Sequence, residues 1–243
     1  MPGVINPRID VAAVRRALDV DGVAVVEDFC APALAERILT ALEDETAWDL
    51  AYSGDGQGRL LRAAELERME PHEVRAAVGA ALEYAPSSFQ FAYNTFTVTD
   101  AIQSGAVQTS AQMEHFLFSL AAAWHTPEHI AFVRELTGRE GIERVSMMAA
   151  RYLPGHFLTL HDDAHEGERR EVAYVLNLTK DWPVEWGGLL HIVEPDRRTV
   201  RTAIRPAFNR LVLMRPPMWH FVSQVASYAQ APRYTLTGWM LAS

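Results

Sequence analysis

The chain has 243 residues, 49% of them hydrophobic and 22% charged, a composition that suits a globular fold with a buried core. Its 22 basic and 31 acidic residues leave a formal charge of −9, which disfavours nucleic acid and anionic membranes as partners. No run approaches the ~18 consecutive apolar residues of a membrane span. The opening MPGVINPRID lacks the basic-then-apolar pattern of a signal peptide. Cys30 is the only cysteine, so an intramolecular disulfide and a cysteine zinc cage are both excluded. These features fit a cytoplasmic protein, and the length suits a single domain, since β-barrels and sandwiches often reach it as one unit.

Along the first half the pattern is mixed and mostly helical. Asp10 can cap a short helix bearing Val11, Val14 and Leu18 that stops before Gly22. Val23–Val26 is a β-branched run that predicts a strand. Pro32 opens a helix with Leu34, Ile38 and Leu42 on one face. Residues 53–58, SGDGQG, predict a flexible loop, and 72–83 a helix. Phe89, Phe91 and Tyr93 alternate as a strand does. Residues 110–124 form an amphipathic pattern with Met113, Phe116, Leu117, Leu120 and Trp124 on one face, a core stripe with no cofactor role. Thr126-Pro127 begins a further helix with Ile130, Val133 and Leu136 inward and Gly138 as its stop.

Beyond about residue 142 short β-rich runs follow one another, at 145–152, 156–161, 171–178, 189–193, 198–204, 210–214, 219–225 and 233–241. Evenly spaced short strands of this kind predict a jelly roll. The expected fold is therefore α+β. A double-stranded β-helix (jelly-roll) core occupies 140–243. Residues 1–140 supply supporting helices, which cover one sheet's outer face, and a few added strands.

The chemistry centres on His161-Asp162-Asp163. Residues i and i+2 of a strand share a face, so His161 and Asp163 can grip one ion while Asp162 points away. His220, 57 residues after Asp163 and at the start of HFVSQV, is the best third ligand. Two histidines and one carboxylate on one side of an ion leave open positions opposite, the facial arrangement of non-haem Fe(II) oxygenases; a structural zinc site would be closed. Arg233, 13 residues after His220, offers a fork that binds a carboxylate bidentately. Thr235, two residues on, can add a hydroxyl from the same face.

The segments HDD (161–163), EGERR (166–170), VLNL (175–178), WGGLL (186–190), FNRLVLM (208–214), HFVSQV (220–225) and RYTLTGW (233–239) occur in one order. Together they resemble the prolyl-hydroxylase branch of the Fe(II)/2-oxoglutarate oxygenases. The similarity is greatest to the ribosomal-protein prolyl hydroxylases and next to the oxygen-sensing ones. It covers 140–243 strongly and the earlier residues only vaguely. It implies Fe(II) held by His161, Asp163 and His220, with 2-oxoglutarate and O2 as co-substrates, and Arg233 paired with the distal carboxylate of 2-oxoglutarate. Tyr152, in Arg151-Tyr152-Leu153-Pro154-Gly155, matches a family tyrosine near that carboxylate. Val175 stands where oxygen-sensing relatives have a second tyrosine. Related halogenases lack the carboxylate ligand; Asp163 is present here, which favours hydroxylation.

Several neighbours carry weaker expectations. His156 and His165 are poor competitors as ligands, and His191 faces either the cavity or the barrel's outside. Trp182, Trp186 and Trp219 form either a substrate rim or packing. Arg169 and Arg170 either position substrate or brace their loop, while Tyr174 and Cys30 read as core. The leading function is hydroxylation of a prolyl residue in a protein or peptide. Hydroxylation of a free amino acid or small metabolite, and a non-catalytic metal-binding barrel, are the alternatives. A metabolite would need a closed pocket with a second carboxylate anchor.

Overall fold

The computed structural model describes residues 5–54, 57–103 and 114–243. In chain order the elements begin with α1 (Val11–Val20), β1 (Val23–Val26) and α2 (Pro32–Thr40), which runs into a π-turn at Ala41–Glu45. Then come β2 (Asp49–Gly54), β3 (Gln57–Leu61), α3 (Ala63–Leu66), α4 (Pro71–Tyr84), β4 (Phe91–Thr97) and α5 (Thr99–Gln103). Helices α6 (Phe116–Trp124) and α7 (Pro127–Thr137) precede β5 (Ile142–Val145), β6 (Met148–Tyr152), β7 (Phe157–His161) and β8 (Arg169–Asn177). The chain closes with β9 (Leu190–Val193), β10 (Val200–Ile204), β11 (Arg210–Met214), β12 (His220–Val222) and β13 (Arg233–Ala242).

Most helix boundaries follow the expected local signals. Asp10 accepts from the Ala13 N–H at 2.9 Å, satisfying one orphan donor of the first turn. Thr126 caps α7, Pro127 occupies its first turn, and Gly138 ends it at φ +69°. Two expectations need correction. Within 53–58, Ser53, Gly54, Gln57 and Gly58 are strand rather than loop: β2 extends to Gly54 and β3 begins at Gln57, with Ser53 opposite Gly58. The run 145–152 is not continuous, because β5 and β6 are separated at Ser146-Met147. Met113 and the start of the 110–124 helix lie outside the described residues.

All strand pairs are antiparallel, in the order β1-β11-β8-β13-β6-β4-β7-β12-β9-β10, with β2 and β3 attached beside β4 and β5 beside β13. Alternation of side chains explains how this sheet makes two cores. Leu211 and Leu213 pack with Val172, Tyr174, Leu176, Leu236 and Met240 against α1, α2, α6 and α7. The intervening Val212 and Met214 face the other way and meet Leu190, Ile192 and Val222. Strands near opposite ends of the order thus share one interior, so the sheet curls into a jelly roll. The helices cover the outer face of its larger half, as expected.

Ser146 crosses β13 where Gly238 lies. Its N–H donates to Trp239 O at 2.8 Å and its Oγ accepts from Trp239 N–H at 2.8 Å. A Cβ on Gly238 would lie 2.2 Å from Ser146 O, so only glycine admits this crossing. The N-terminal layer is fastened by Asn209, whose side chain accepts from Cys30 N–H at 2.8 Å and donates to Cys30 O at 2.9 Å.

Three outcomes are expected. Gly238→Ala should cost about 1–3 kcal/mol from overpacking, and Leu213→Ala about 2–5 kcal/mol from the cavity it leaves; both are measured by urea denaturation. Burial and the neighbouring His125 push the His129 imidazole from 6.5 to about 4. The unfolded chain therefore takes up this proton first, and stability falls as pH drops from 6.5 towards 4. His129→Leu should flatten that decline in melting temperature against pH.

Candidate metal centre and anion pocket

Register brings the two histidines together. β7 and β12 pair with His161 directly opposite His220, and the ring centroids are 4.0 Å apart. The ladder shifts between this pair and the next, Leu158 opposite Val222. Three residues of β7 thus match two of β12, a bulge that re-aims a side chain. As a result Leu158 and His161, three apart in sequence, both line the cavity.

Asp163 reaches the pair by a different route from the one its spacing suggests. β7 ends at His161, and Asp163 adopts φ +60°, so a left-handed turn rather than strand alternation carries its carboxylate inward. Its Oδ1 is 3.5 Å from His161 Nε2 and its Oδ2 3.5 Å from His220 Nε2. Two donors each about 2.1 Å from one ion lie roughly 3–3.5 Å apart, so this is ligand spacing. Asp162 turns its Oδ1 to the Ala164 N–H at 3.1 Å, yet it still borders the cavity.

The imidazole tautomers follow from the backbone. His161 Nδ1 faces Thr159 O at 2.9 Å and His220 Nδ1 faces Met218 O at 2.7 Å. A carbonyl only accepts, so each Nδ1 carries the proton and each Nε2 lone pair is left for a metal. Burial and then the neighbouring His220 push His161 down to about 4, so it is a neutral donor at neutral pH. Arg170 braces the turn. It donates to Glu168 at 3.0 and 3.1 Å and to Asp163 O at 3.2 Å, and lies 3.7 Å over the Trp239 ring. Arg169 is exposed and pairs with Glu171 at 3.0 Å.

The same cavity, about 400 Å³, is walled by Arg233, Thr235, Thr237 and Trp239 of β13 together with Tyr152, Tyr93 and the three-residue cluster. Arg233 is 2% exposed. Its Nη2 reaches Asn177 Oδ1 at 3.5 Å, while Nε and Nη1 have no partner. Burial opposes its charge, but a guanidinium does not give up its proton in proteins. A buried, unpaired cation of this kind requires an anion, and its fork suits a carboxylate. Tyr152 stands opposite Arg233 in the ladder, with the guanidinium 4.9 Å over its ring; burial holds its phenol protonated. Thr235 is also buried, at 2% exposure.

Sequence reasoning missed the aromatic wall. Phe89, Phe91 and Tyr93 succeed one another at 5.7 Å, and Tyr93 stacks on Tyr152 at 5.3 Å. Tyr93 is pushed up to about 12 by burial and the Asp163 charge, so it is a protonated donor. Its alternation with Phe91 signalled a strand, but nothing signalled which strand it would join. Val175 lines the cavity between Val212 and Thr237, so a second phenol comes from β4 instead of β8.

Other expected positions resolve away from the cavity. His191 stacks on Phe221 at 4.3 Å, on the face opposite Leu190 and Ile192. His165 is exposed and accepts from the Gly167 N–H. His156 is buried and lies outside the cluster of possible ligands. Trp182 donates to Gly187 O at 2.9 Å and packs edge-on to Trp186, bracing the Gly187-Gly188 turn rather than forming a rim. A Cβ on Gly187, at φ +67°, would strike Gln224 O at 2.2 Å. Trp219 lies under Arg197.

Comparison with known proteins agrees with this geometry. A family model described as the 2OG-Fe(II) oxygenase superfamily matches residues 147–241. A curated relative, prolyl 3-hydroxylase OGFOD1 of Mus musculus, is 29% identical over 115 residues, covering 45% of this chain and 21% of that protein. The chain thus matches about a fifth of that relative's length. Among solved structures, a Pseudomonas putida prolyl-4-hydroxylase superposes with a TM-score of 0.58 at 20% identity, over 96% of this chain and 99% of that one. A Trichoplax adhaerens prolyl hydroxylase in complex with a hypoxia-inducible-factor peptide fragment gives 0.58 at 17%, over 96% and 89%. The residues similar to the 2OG-Fe(II) oxygenase superfamily, 147–241, are the ones that carry both the three-residue cluster and Arg233.

Proposed function

We propose that the chain is an Fe(II)- and 2-oxoglutarate-dependent dioxygenase that hydroxylates a prolyl residue in a protein or peptide. The observation that carries the reading is the unpaired Arg233 guanidinium buried in the same cavity as His161, Asp163 and His220. A metal-binding barrel without catalysis has no use for that cation. Iron and the keto acid would supply the activated oxygen that the protein itself lacks.

Each residue has a defined task in this reading. The Nε2 atoms of His161 and His220 and the Asp163 carboxylate hold the ion from one side. Arg233, with Thr235 beside it, fixes the distal carboxylate of 2-oxoglutarate, and Tyr152 covers the guanidinium. The Tyr93 hydroxyl is a further protonated donor on the same wall. Phe89, Phe91, Leu158 and Val222 present apolar surface to substrate and exclude water from the reacting centre.

Substrate class follows from a census of cations. Among the described cavity-lining residues the only permanently cationic side chains are Arg233 and Arg170, and Arg170 is spent on Glu168, Asp163 O and Trp239. Once 2-oxoglutarate occupies Arg233, no free cation among the described lining residues remains to anchor the carboxylate of a free amino acid. That favours a residue within a polypeptide. Phe89, 48% exposed and 5.4 Å from the His161 ring, offers the rim a flat surface for a proline ring.

Fe(II) added with 2-oxoglutarate under anaerobic conditions should produce a saturable visible charge-transfer band. His220→Ala should abolish it, and Arg233→Ala should raise the apparent Kd for 2-oxoglutarate about 30-fold or more. A folded, iron-loaded protein without the band would refute the oxygenase reading. Arg170→Gln, which releases the Asp163 turn, should weaken Fe(II) binding by about 10-fold or more, as read by metal titration.

A further inference from the structure

The hairpin that ends the sheet carries positive charge that the rest of this acidic chain does not neutralise. Between β9 and β10, Asp196 accepts from the Arg198 and Thr199 N–H groups at 2.8 and 2.9 Å and from Thr199 Oγ1 at 2.6 Å. That carboxylate is committed to its own turn. Arg197, Arg198 and Arg201 are exposed, and none is paired with a carboxylate among the described residues. Arginines on other faces, such as Arg37, Arg62, Arg139 and Arg210, do have such partners.

Two of these cations sit on the loop that borders the metal cluster. The Arg197 guanidinium lies 3.9 Å over the Trp219 ring, and Arg201 Nη2 is 3.6 Å from Met218 Sδ. Met218 and Trp219 immediately precede His220. Met218 accepts from His220 Nδ1, and its N–H donates to Asp162 O at 3.1 Å. The strand itself is also open: β10 is last in the sheet order, and Val200, Arg201, Thr202 and Ala203 are all exposed.

We propose that this edge docks an acidic, extended segment of the polypeptide substrate. The segment adds to β10 as a further strand, its carboxylates meet Arg197, Arg198 and Arg201, and the neighbouring residue reaches the cavity past Met218-Trp219. The inference rests on the oxygenase reading and names its partner's chemistry. Strand addition uses main-chain hydrogen bonds for affinity and side chains for specificity, and guanidinium–carboxylate pairs are the strong charged ones. Nucleic acid fits less well, since the net charge of −9 repels it and it cannot extend a backbone ladder. Charge on an edge strand also blocks self-pairing, but that role is indifferent to sign, so charge reversal separates the two.

The test uses the full chain and fluorescence anisotropy of three labelled probes: a Glu-Thr repeat peptide, a Gln-Thr repeat of equal length, and a single-stranded RNA oligonucleotide. The Glu-Thr peptide should bind best, with affinity falling as salt rises. The Arg197→Glu/Arg201→Glu variant, checked for an unchanged melting temperature, should bind it about 10-fold or more weakly. If that variant fails to fold, Arg198→Glu on the exposed turn decides, with an expected loss of about two- to fivefold. Equal binding of the Glu and Gln peptides, no effect of charge reversal, or tighter binding of RNA overturns the proposal. Peptide binding requires no iron, and the charge-transfer band requires no peptide, so failure of one reading is distinguishable from failure of the other.

Discussion

Whether this barrel holds a metal depends on one antiparallel register. With His161 opposite His220, two Nε2 atoms converge on one point; a slip of one residue would turn the whole set to the other face. The bulge in β7 carries the same constraint along the strand, because it lets Leu158 and His161 share the cavity. Asp163 then enters through its left-handed turn, held by Arg170 on its carbonyl. Both rings are oriented by carbonyls two residues upstream, so the ladder and its flanking loops set ligand direction as well as ligand distance.

Arg233 shows the opposite strategy, an interaction left unfinished. A buried ion without a partner destabilises a protein by several kcal/mol, and the interior offers this one only Asn177 at 3.5 Å and the face of Tyr152. The helical core on the far side of the sheet offsets that cost. Leu176, Leu211, Leu213 and Leu236 are 0–1% exposed, and each fully buried leucine contributes about 1.5–3 kcal/mol. Strand alternation lets β13 serve both ends, with Arg233 and Thr235 facing the cavity while Tyr234 and Leu236 face the helices.

What the sequence disclosed depended on whether the signal was local. His161, Asp163, His220 and Arg233 stand out as a group by residue type and order, and the fold gathers them round one cavity; the alternating runs after residue 142 match most strands of the core. Asp163 does lie beside the two histidines, but through a positive-φ turn, which spacing cannot distinguish from strand alternation. The 53–58 segment looked like a loop because Ser, Gly and Asp dominate it, whereas the pairing of β2 with β3 makes its flanks strands. Tyr93 and Phe91 could be assigned to a strand but not to a wall of the cavity, because that depends on β4 joining β6 and β7, a tertiary fact. His191 was ambiguous in sequence, and the bonding partner of β9 decided that it points outward.

The layered arrangement also bears on how the chain is made. Helices α1, α2, α6 and α7 belong to the first 137 residues, yet their apolar faces close against β8, β11 and β13, and Asn209 reaches back 179 residues to clasp Cys30. During synthesis these helices emerge before β8, β11 and β13. Contacts so distant in sequence form slowly, and apolar surface left waiting is prone to aggregate. The apolar face of the nascent N-terminal layer therefore stays incompletely covered until β13 completes both the core and the cavity.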